Sequence, residues 1–491
     1  MSRVRFRARY SLAPLVLPCG AQAHSFGKLY NLPVPFWLYI WGATSALLLS
    51  FLLVAWFLTR DSASPELRVR ELGEAAWLRR LRAPQLLKGL SLCALLLCLA
   101  TGFFGTRNAY LNFNMTFFWI VFVLGFTYFT ALCGGLYERL NPWKLLVQGL
   151  GRFAAGAFRG RVAYPPALGC WPALGFYMAF IWLELFGKVQ PYSLALALSI
   201  YSAINLAGAW LFGASAWFRY CEFFAVFLRL VATMAPLEYR PAAAAGAHGT
   251  WQLRAPFVGL LRQRAESQGE VLFLLFMLSS TTFDGLRETA PWKQLFWVDL
   301  HQALRPWLSG NIVADYPLLR QLNLACETLC LLLSPFLYYA AYLACIALAR
   351  RLTRSALSLH ELALHFAYPL LPIALVYNIT HYYTLIITQG TQILRLLSDP
   401  FGAGWNLFGT ARWLPSPILP DMGLVWHTQV GLILLGHVLS VYLAHLAALR
   451  LFPSRREATL SQLPMLLLMM AFTTIGLWIL AQPITSASAG G

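Results

Sequence analysis

The sequence has few charged residues. Asp, Glu, Lys and Arg together make up 11% of its 491 residues, whereas a soluble domain carries about 25%. Hydrophobic residues make up 59% of the chain, and its mean hydropathy is +0.61. This composition excludes an ordinary soluble globular protein.

The sequence also lacks the motifs of several soluble protein classes. It contains no nucleotide-binding glycine loop, no zinc finger and no GxSxG element, and its nine cysteines form no CxxC pair. Most of the cysteines lie inside apolar runs, where they are typical small buried residues, so a disulfide framework is not indicated. No internal repeat or pair of broken helices, of the kind that marks many transporters, is evident.

Ten long apolar runs dominate what is present, and each has roughly the 17–25 residues that cross a bilayer, or somewhat more. They predict an all-α fold, a polytopic integral membrane helical bundle of about ten transmembrane helices. Stretch 144–159 is predicted to be an amphipathic surface helix, and 217–235 to be another or a short re-entrant helix. Residues 24–491 are predicted to form a single integral membrane domain. The runs are 34–58, 87–105, 115–137, 168–186, 191–214, 268–284, 322–349, 364–390, 424–449 and 462–481.

The basic residues alternate between the loops. The chain has a formal net charge of +18, which could suggest nucleic acid as a partner. However, 24 Lys and Arg residues fall in the odd-numbered connections and 9 on the opposite side. Because cytoplasmic loops carry the excess of Lys and Arg, we predict a multi-pass protein of the bacterial cytoplasmic (inner) membrane. Its mature N-terminus and its C-terminus are then periplasmic.

The first 23 residues resemble an export signal. A basic stretch with arginines at 3, 5, 7 and 9 precedes the apolar residues 11–20 and the pattern Ala21-Gln22-Ala23, which is typical of a signal-peptide cleavage site. Cleavage there would make His24 the mature N-terminus. Its amine and imidazole could then hold one metal ion together.

Ionisable side chains inside apolar helices are functional candidates because burying them in lipid is costly. The predicted orientation puts several of them near the outer face. Histidine nitrogens with a carboxylate suit Zn, Cu, Ni, Mn or Fe, and such a metal can turn a bound water into a nucleophile. The predicted catalytic residues are Asp284 and Glu184, and the predicted metal ligands are His24, His381, His437 and His427.

Structural roles for the same side chains stay open. Asp284 could instead form an ion pair with Arg287 or Arg107, and Glu184 one with Lys188. His445, near a basic helix end, is better explained as a hydrogen-bond partner between helices. Glu327 could pair with Arg320.

Several stretches together resemble the bacterial multi-pass membrane fenitrothion hydrolase (organophosphorus hydrolase) family. The resemblance extends over about residues 23–480, and no residue roles are carried over from it. The matching pieces are Ala23-His24, Leu32-Pro33-Val34-Pro35, Leu140-Asn141-Pro142-Trp143, Tyr164-Pro165, Trp171-Pro172, Trp182-Leu183-Glu184, Thr281-Thr282-Phe283-Asp284-Gly285, His381-Tyr382, Ser398-Asp399-Pro400, Gly436-His437 and Ala444-His445.

This resemblance implies cleavage of a P–O bond in an apolar organophosphorus triester that partitions into the bilayer. We therefore expect a metal-assisted hydrolase with its site near the periplasmic face. The partners are then the lipid bilayer and an apolar small molecule, with no nucleic acid. A metal- or quinone-handling membrane subunit and a small-molecule transporter are the alternatives, and the sequence leaves open whether a second membrane subunit is required.

Overall fold

A computed structural model describes residues 35–58, 69–72, 83–154, 156–240, 250–413 and 421–482. The predicted signal peptide and His24 lie outside these residues. Within them, ten helices are long and apolar enough to cross a membrane. The predicted fold class, an all-α polytopic bundle, is confirmed.

The ten long helices are numbered α1 to α10 in chain order, and shorter helices are named by their residues. The long helices are α1 (Phe36–Phe57), α2 (Ala83–Phe104), α3 (Phe113–Cys133), α4 (Trp171–Phe186), α5 (Pro191–Phe212), α6 (Gln268–Arg287), α7 (Ile312–Thr353), α8 (Leu371–Gln389), α9 (Met422–Leu451) and α10 (Arg455–Ala481).

Most helix ends lie within a few residues of the predicted runs, but α7 and α10 begin earlier. Helix α7 has 42 residues and contains Pro317 and Pro335. Its first residues include Asp315 and Arg320, which hydropathy alone assigns to a loop. Helix α10 begins at Arg455, directly after its cap Ser454, whose side chain accepts a hydrogen bond from the Glu457 backbone N–H.

Helices α6 and α8 form the centre of the bundle. Helix α6 is apolar on every side from Val271 to Leu278, and all of these residues are buried, as expected of a helix without a polar face. It packs against α4, α7, α8 and α10. Helix α8 follows a short helix, Leu359–Ala367, and a 3-10 turn, Tyr368–Leu370, and it contacts α3, α6 and α9.

The outer helices pack around this centre in two groups. Helix α1 lies against α9 and α10, and α2 lies against α5. Helix α3 is unusual because its middle part, Thr116–Phe126, is π-helical. Such segments are rare and often occur at functional sites.

Both predicted surface helices form, with different bounds. The first is Pro142–Phe153. The second is broken at Cys221–Glu222 into Ala214–Tyr220 and Phe223–Ala232. The buried residues of the latter, among them Phe223, Phe224 and Leu228, occupy more than half of its circumference, and it packs against α3 and α4, whereas Arg229 stays partly exposed. Most of its surface is therefore covered by the rest of the protein.

Short elements outside the ten helices complete the fold. Strands β1 (Arg70–Glu71), β2 (Leu237–Arg240) and β3 (Thr250–Leu253) form an antiparallel sheet in the order β1-β3-β2. In the register, Arg70 and Leu237 both lie opposite Leu253. This sheet was not predicted, because strands of two to four residues are too short to show an alternating pattern.

Candidate functional site

Asp284 is the centre of the best-defined polar cluster in the described part of the protein. It lies in the last turn of α6 and is 2% exposed. Its Oδ2 accepts hydrogen bonds from His381 Nε2, at 2.7 Å, and from the Tyr382 hydroxyl, at 3.2 Å. Consecutive residues of α8 therefore hold one carboxylate oxygen of α6.

Arg287 holds the other oxygen. Its Nε lies 3.3 Å from Asp284 Oδ1, one helical turn further along α6. The same guanidinium donates from Nη1 to the backbone carbonyl of Leu185 at 3.5 Å and lies over the Phe186 ring. Of the two ion pairs considered for Asp284, the one with Arg287 is present, and it ties the end of α6 to the end of α4.

The hydrogen bond with Asp284 determines the tautomer of His381. An ionised carboxylate only accepts hydrogen bonds, so Nε2 carries the proton, and in the neutral ring the lone pair is on Nδ1. The His381 side chain is 11% exposed, whereas that of Asp284 is 3% exposed. The imidazole therefore forms the more accessible side of the pair.

A cavity of about 40 Å³ lies on the other side of Asp284. This volume counts positions of water centres, and about 10–15 Å³ is needed for each water, so roughly three waters fit. Its wall combines Glu184 of α4 and Asp284 of α6 with Tyr382 and Asn378 of α8. The two predicted catalytic carboxyl groups thus line a common cavity.

Aromatic rings supply most of the remaining wall. Phe122 comes from the π-helical part of α3, Phe180 from α4, and Phe223 and Phe224 from the short helix Phe223–Ala232. The rings pack against one another; Phe122 and Phe224, for example, have centroids 5.0 Å apart. An apolar molecule with an aromatic group is therefore the kind of ligand that this surface suits.

Asn378 adds an acceptor. Its Oδ1 is buried and has no hydrogen-bond partner, although the residue lines the cavity. Its backbone carbonyl accepts from the Tyr128 hydroxyl at 3.2 Å. A buried acceptor without a donor is unfavourable, so the cavity favours an occupant that donates a hydrogen bond, such as water.

The structure does not bring His427 and His437 to this cluster. The His427 ring is exposed near the start of α9, with Nδ1 2.7 Å from the Gly423 carbonyl. His437 lines a different cavity, between α6 and the pair α9 and α10. Among the described residues, no three His, Cys, Asp or Glu side chains lie close enough together to hold a metal ion. The structure brings His381 into contact with Asp284, and Glu184 lines the same cavity as Asp284, whereas His24 lies outside the described residues. We derive no metal-dependent step for these residues.

Two other intramembrane polar residues, Glu327 and His445, lie away from this cavity. Glu327 accepts a hydrogen bond from Trp292 Nε1 at 3.4 Å. His445 is fully buried beside the Phe51 ring, with centroids 6.5 Å apart, and neither ring nitrogen has a hydrogen-bond partner. The expected hydrogen bond between helices is therefore not seen for His445.

A second buried carboxyl group, which the sequence analysis missed, is that of Glu222, between the short helices Ala214–Tyr220 and Phe223–Ala232. Glu222 is fully buried and caps the helix Phe223–Ala232 by accepting from the backbone N–H groups of Phe224 and Ala225. Asn141 Nδ2 and the Tyr201 hydroxyl also donate to it. Burial raises the pKa of Glu222 to about 7, and these four donors oppose the rise. The stretch Leu140-Asn141-Pro142-Trp143 was the only sequence feature that pointed to the surroundings of Glu222, because Asn141 is one of the four donors.

Comparisons with known proteins do not assign the chain to a family. No protein-family model matches it, and neither a curated protein nor a solved structure is significantly similar. The class that fold and composition define is a multi-pass, all-α membrane protein.

Proposed function

We propose that the protein is a membrane-embedded hydrolase of apolar organophosphorus triesters, with its active site at the Glu184–Asp284 cavity. The observation that supports this most is the placement of two carboxyl groups in the wall of one aromatic cavity inside the bundle. An apolar aryl ester that enters from the bilayer would contact aromatic side chains over most of the cavity wall. The water needed for hydrolysis would contact the part of the wall that carries the carboxyl groups.

Hydrolysis in this proposal proceeds by general-base catalysis. Glu184 acts as the general base, which removes a proton from a cavity water as its oxygen attacks phosphorus. The P–O bond to the aryl group breaks, and the aryl oxide leaves with the electron pair and takes up the proton from Glu184. The products are a phosphodiester acid and a phenol. No metal is required for this sequence.

Asp284, Arg287 and His381 are positioning residues in this mechanism. Arg287 and His381 hold the Asp284 carboxylate from both sides, and the carboxylate fixes the Tyr382 hydroxyl at the cavity wall. An aryl triester is much larger than three waters, so substrate entry requires the wall to open. The π-helical segment Thr116–Phe126, which supplies Phe122 to the wall, is the element suited to this adjustment.

We also propose that the cavity opens toward the periplasmic side of the inner membrane. The excess of Lys and Arg in alternate loops supports this orientation. The end of α6 with Asp284 and the end of α4 with Glu184 then lie near the outer face. Labelling of single cysteines placed in the loops 106–112 and 354–358, with a membrane-impermeant thiol reagent, tests the assignment.

The hydrolase is tested with the purified full-length protein and a nitrophenyl phosphotriester that releases a coloured phenol. Glu184→Gln should lower the rate about 10²–10⁴-fold, the usual contribution of a general base. His381→Ala should lower kcat by a smaller factor and leave KM nearly unchanged, because His381 acts through Asp284. Glu327→Gln is the matched control, since Glu327 is another carboxyl within the membrane but does not line the cavity.

Two results would contradict the proposal. The first is wild-type turnover no greater than the rate without protein. The second is turnover in Glu184→Gln equal to that of the control variant. His427→Ala gives a separate comparison, because a loss of activity there would favour the metal-assisted mechanism that the sequence suggested.

A further inference from the structure

A second cavity lies on the opposite side of α6 and α8 from the Glu184–Asp284 cavity. It measures about 30 Å³ and is bounded by α6, α7, α8, α9 and α10. Its wall is almost entirely apolar and includes Leu275, Leu278 and Phe472. No Asp, Glu, Lys or Arg is among its lining residues, so its interior carries no formal charge.

His437 is the only imidazole among the residues that line this wall, whose other polar groups are hydroxyls of one threonine and three tyrosines. The residue is completely buried, and its Nδ1 lies 2.8 Å from the backbone carbonyl of Ile433. A carbonyl only accepts, so Nδ1 carries the proton and Nε2 carries a lone pair. That Nε2 is buried and has no hydrogen-bond partner. The His437 Nε2 lone pair is therefore available to bind a metal ion or to accept a hydrogen bond from an occupant of this uncharged cavity.

Two thioethers line the same space. Met465 and Met469 lie one turn apart on α10, and both are buried. One imidazole nitrogen and two thioether sulfurs form a soft ligand set, and thioethers select Cu(I) among the common metals. A site without a carboxylate or thiolate also favours an ion of single charge, because each further charge buried in a low-dielectric interior costs more.

The size of the cavity argues against larger occupants. A cavity of about 150 Å³ is known to hold benzene, and this one is about five times smaller. A phenol or a quinone therefore does not fit unless the wall opens, as it must for a triester at the Glu184–Asp284 cavity. For the cavity as it stands, the candidates are a metal ion and two or three waters.

We propose that His437, Met465 and Met469 bind one soft monovalent metal ion, Cu(I). A neighbouring cavity of about 10 Å³ is also lined by Met465 and Met469, and on its other side by Cys345. This inference does not depend on the hydrolase activity, because the His437 cavity and the Glu184–Asp284 cavity have no lining residue in common.

The test uses the full-length protein in detergent under reducing conditions, titrated with Cu(I) against a chromogenic Cu(I) chelator. One equivalent should bind, and its X-ray absorption spectrum should show both sulfur and nitrogen ligands. Met465→Leu combined with Met469→Leu should weaken binding at least 100-fold. Met470→Leu is the matched control, because Met470 follows directly on α10 but does not line the cavity.

The outcomes separate the proposal from its competitors. Equal Cu(I) affinity in the double variant and the control would overturn it, as would a bound ion without sulfur ligands in the wild type. Absence of any Cu(I) retention against the chelator would leave water as the occupant and would also overturn it. Leucine is close to methionine in volume, and a thermal melt of the metal-free double variant checks that it is folded.

Discussion

Raising the pH from 5 to 8 should weaken the fold through one buried carboxyl, that of Glu222. Its pKa is about 7 in the folded protein, against an ordinary value of 4.5. A folded-state pKa that is raised means that the folded protein binds the proton more tightly than the unfolded chain. The stabilisation is therefore complete below pH 4.5 and is lost as the pH rises through 7.

The size of the effect follows from the two pKa values. Each pKa unit corresponds to about 1.4 kcal/mol, so the full difference is roughly 3 kcal/mol, of which about 2.5 kcal/mol falls between pH 5 and pH 8. The entropy of unfolding grows with chain length, at about 2 cal/mol/K per residue. For a chain of 491 residues, this corresponds to a change in melting temperature of roughly 2–3 °C.

Glu222→Gln isolates this contribution. The amide oxygen of the variant can accept from two of the four donors, whereas its NH₂ group faces the other two. The variant is therefore less stable than the wild type at pH 5. Because glutamine does not titrate, the difference in melting temperature between the two proteins should shrink by those 2–3 °C at pH 8.

The assay is thermal unfolding in detergent at pH 5, 6, 7 and 8, followed by circular dichroism. Glu138→Gln is the control, since the side chain of Glu138 is 82% exposed and 3.7 Å from Lys144. A constant difference between Glu222→Gln and the wild type across this pH range would refute the reasoning. It would mean that the four donors outweigh burial and keep the carboxyl ionised throughout.

Two further predictions concern the packing around α8 and the Asp284 cluster. Gly436→Ala should destabilise the protein by about 1–3 kcal/mol, because a Cβ at that position would lie 2.3 Å from Val376 Cγ2. Gly431→Ala on the same helix is the control. A Cβ there has no atom within 4 Å, so this variant should be nearly neutral in a thermal melt. Asp284→Asn should lower the free energy of unfolding by roughly 3 kcal/mol, as expected when a buried ion pair loses one partner. Asp299→Asn is the control, because Asp299 is exposed. It should change the melting temperature by no more than about 1 °C.

The ten helices could be predicted from the sequence because lipid leaves the backbone little choice. A spanning segment without internally satisfied hydrogen bonds is too costly in the bilayer, so an apolar run of sufficient length predicts a helix. The early starts of α7 and α10 were missed because the prediction followed hydropathy alone. Their first turns contain charged residues such as Asp315 and Glu457, and these lower the hydropathy without ending the helix.

The candidate site was only partly predictable, because orientation gives the depth of a residue but not its direction around the helix axis. Asp284 and His381 were predicted at one level, and the structure brings them into contact. His427 and His437 were grouped with them on the same argument, but they lie on α9 in other surroundings. Asn378 and Tyr382 were passed over because amides and phenols are common in membrane helices.

The length of α7 has a practical consequence for imaging. Its 42 residues, at about 1.5 Å each, extend over roughly 63 Å, about twice the thickness of the hydrocarbon layer. A straight helix of this length exceeds the hydrocarbon layer even at a tilt of about 40°, whereas a bend at Pro317 or Pro335 would shorten its span. If α7 is straight, its projecting end supplies a landmark for aligning particles in electron micrographs of a protein without bulky extramembrane parts.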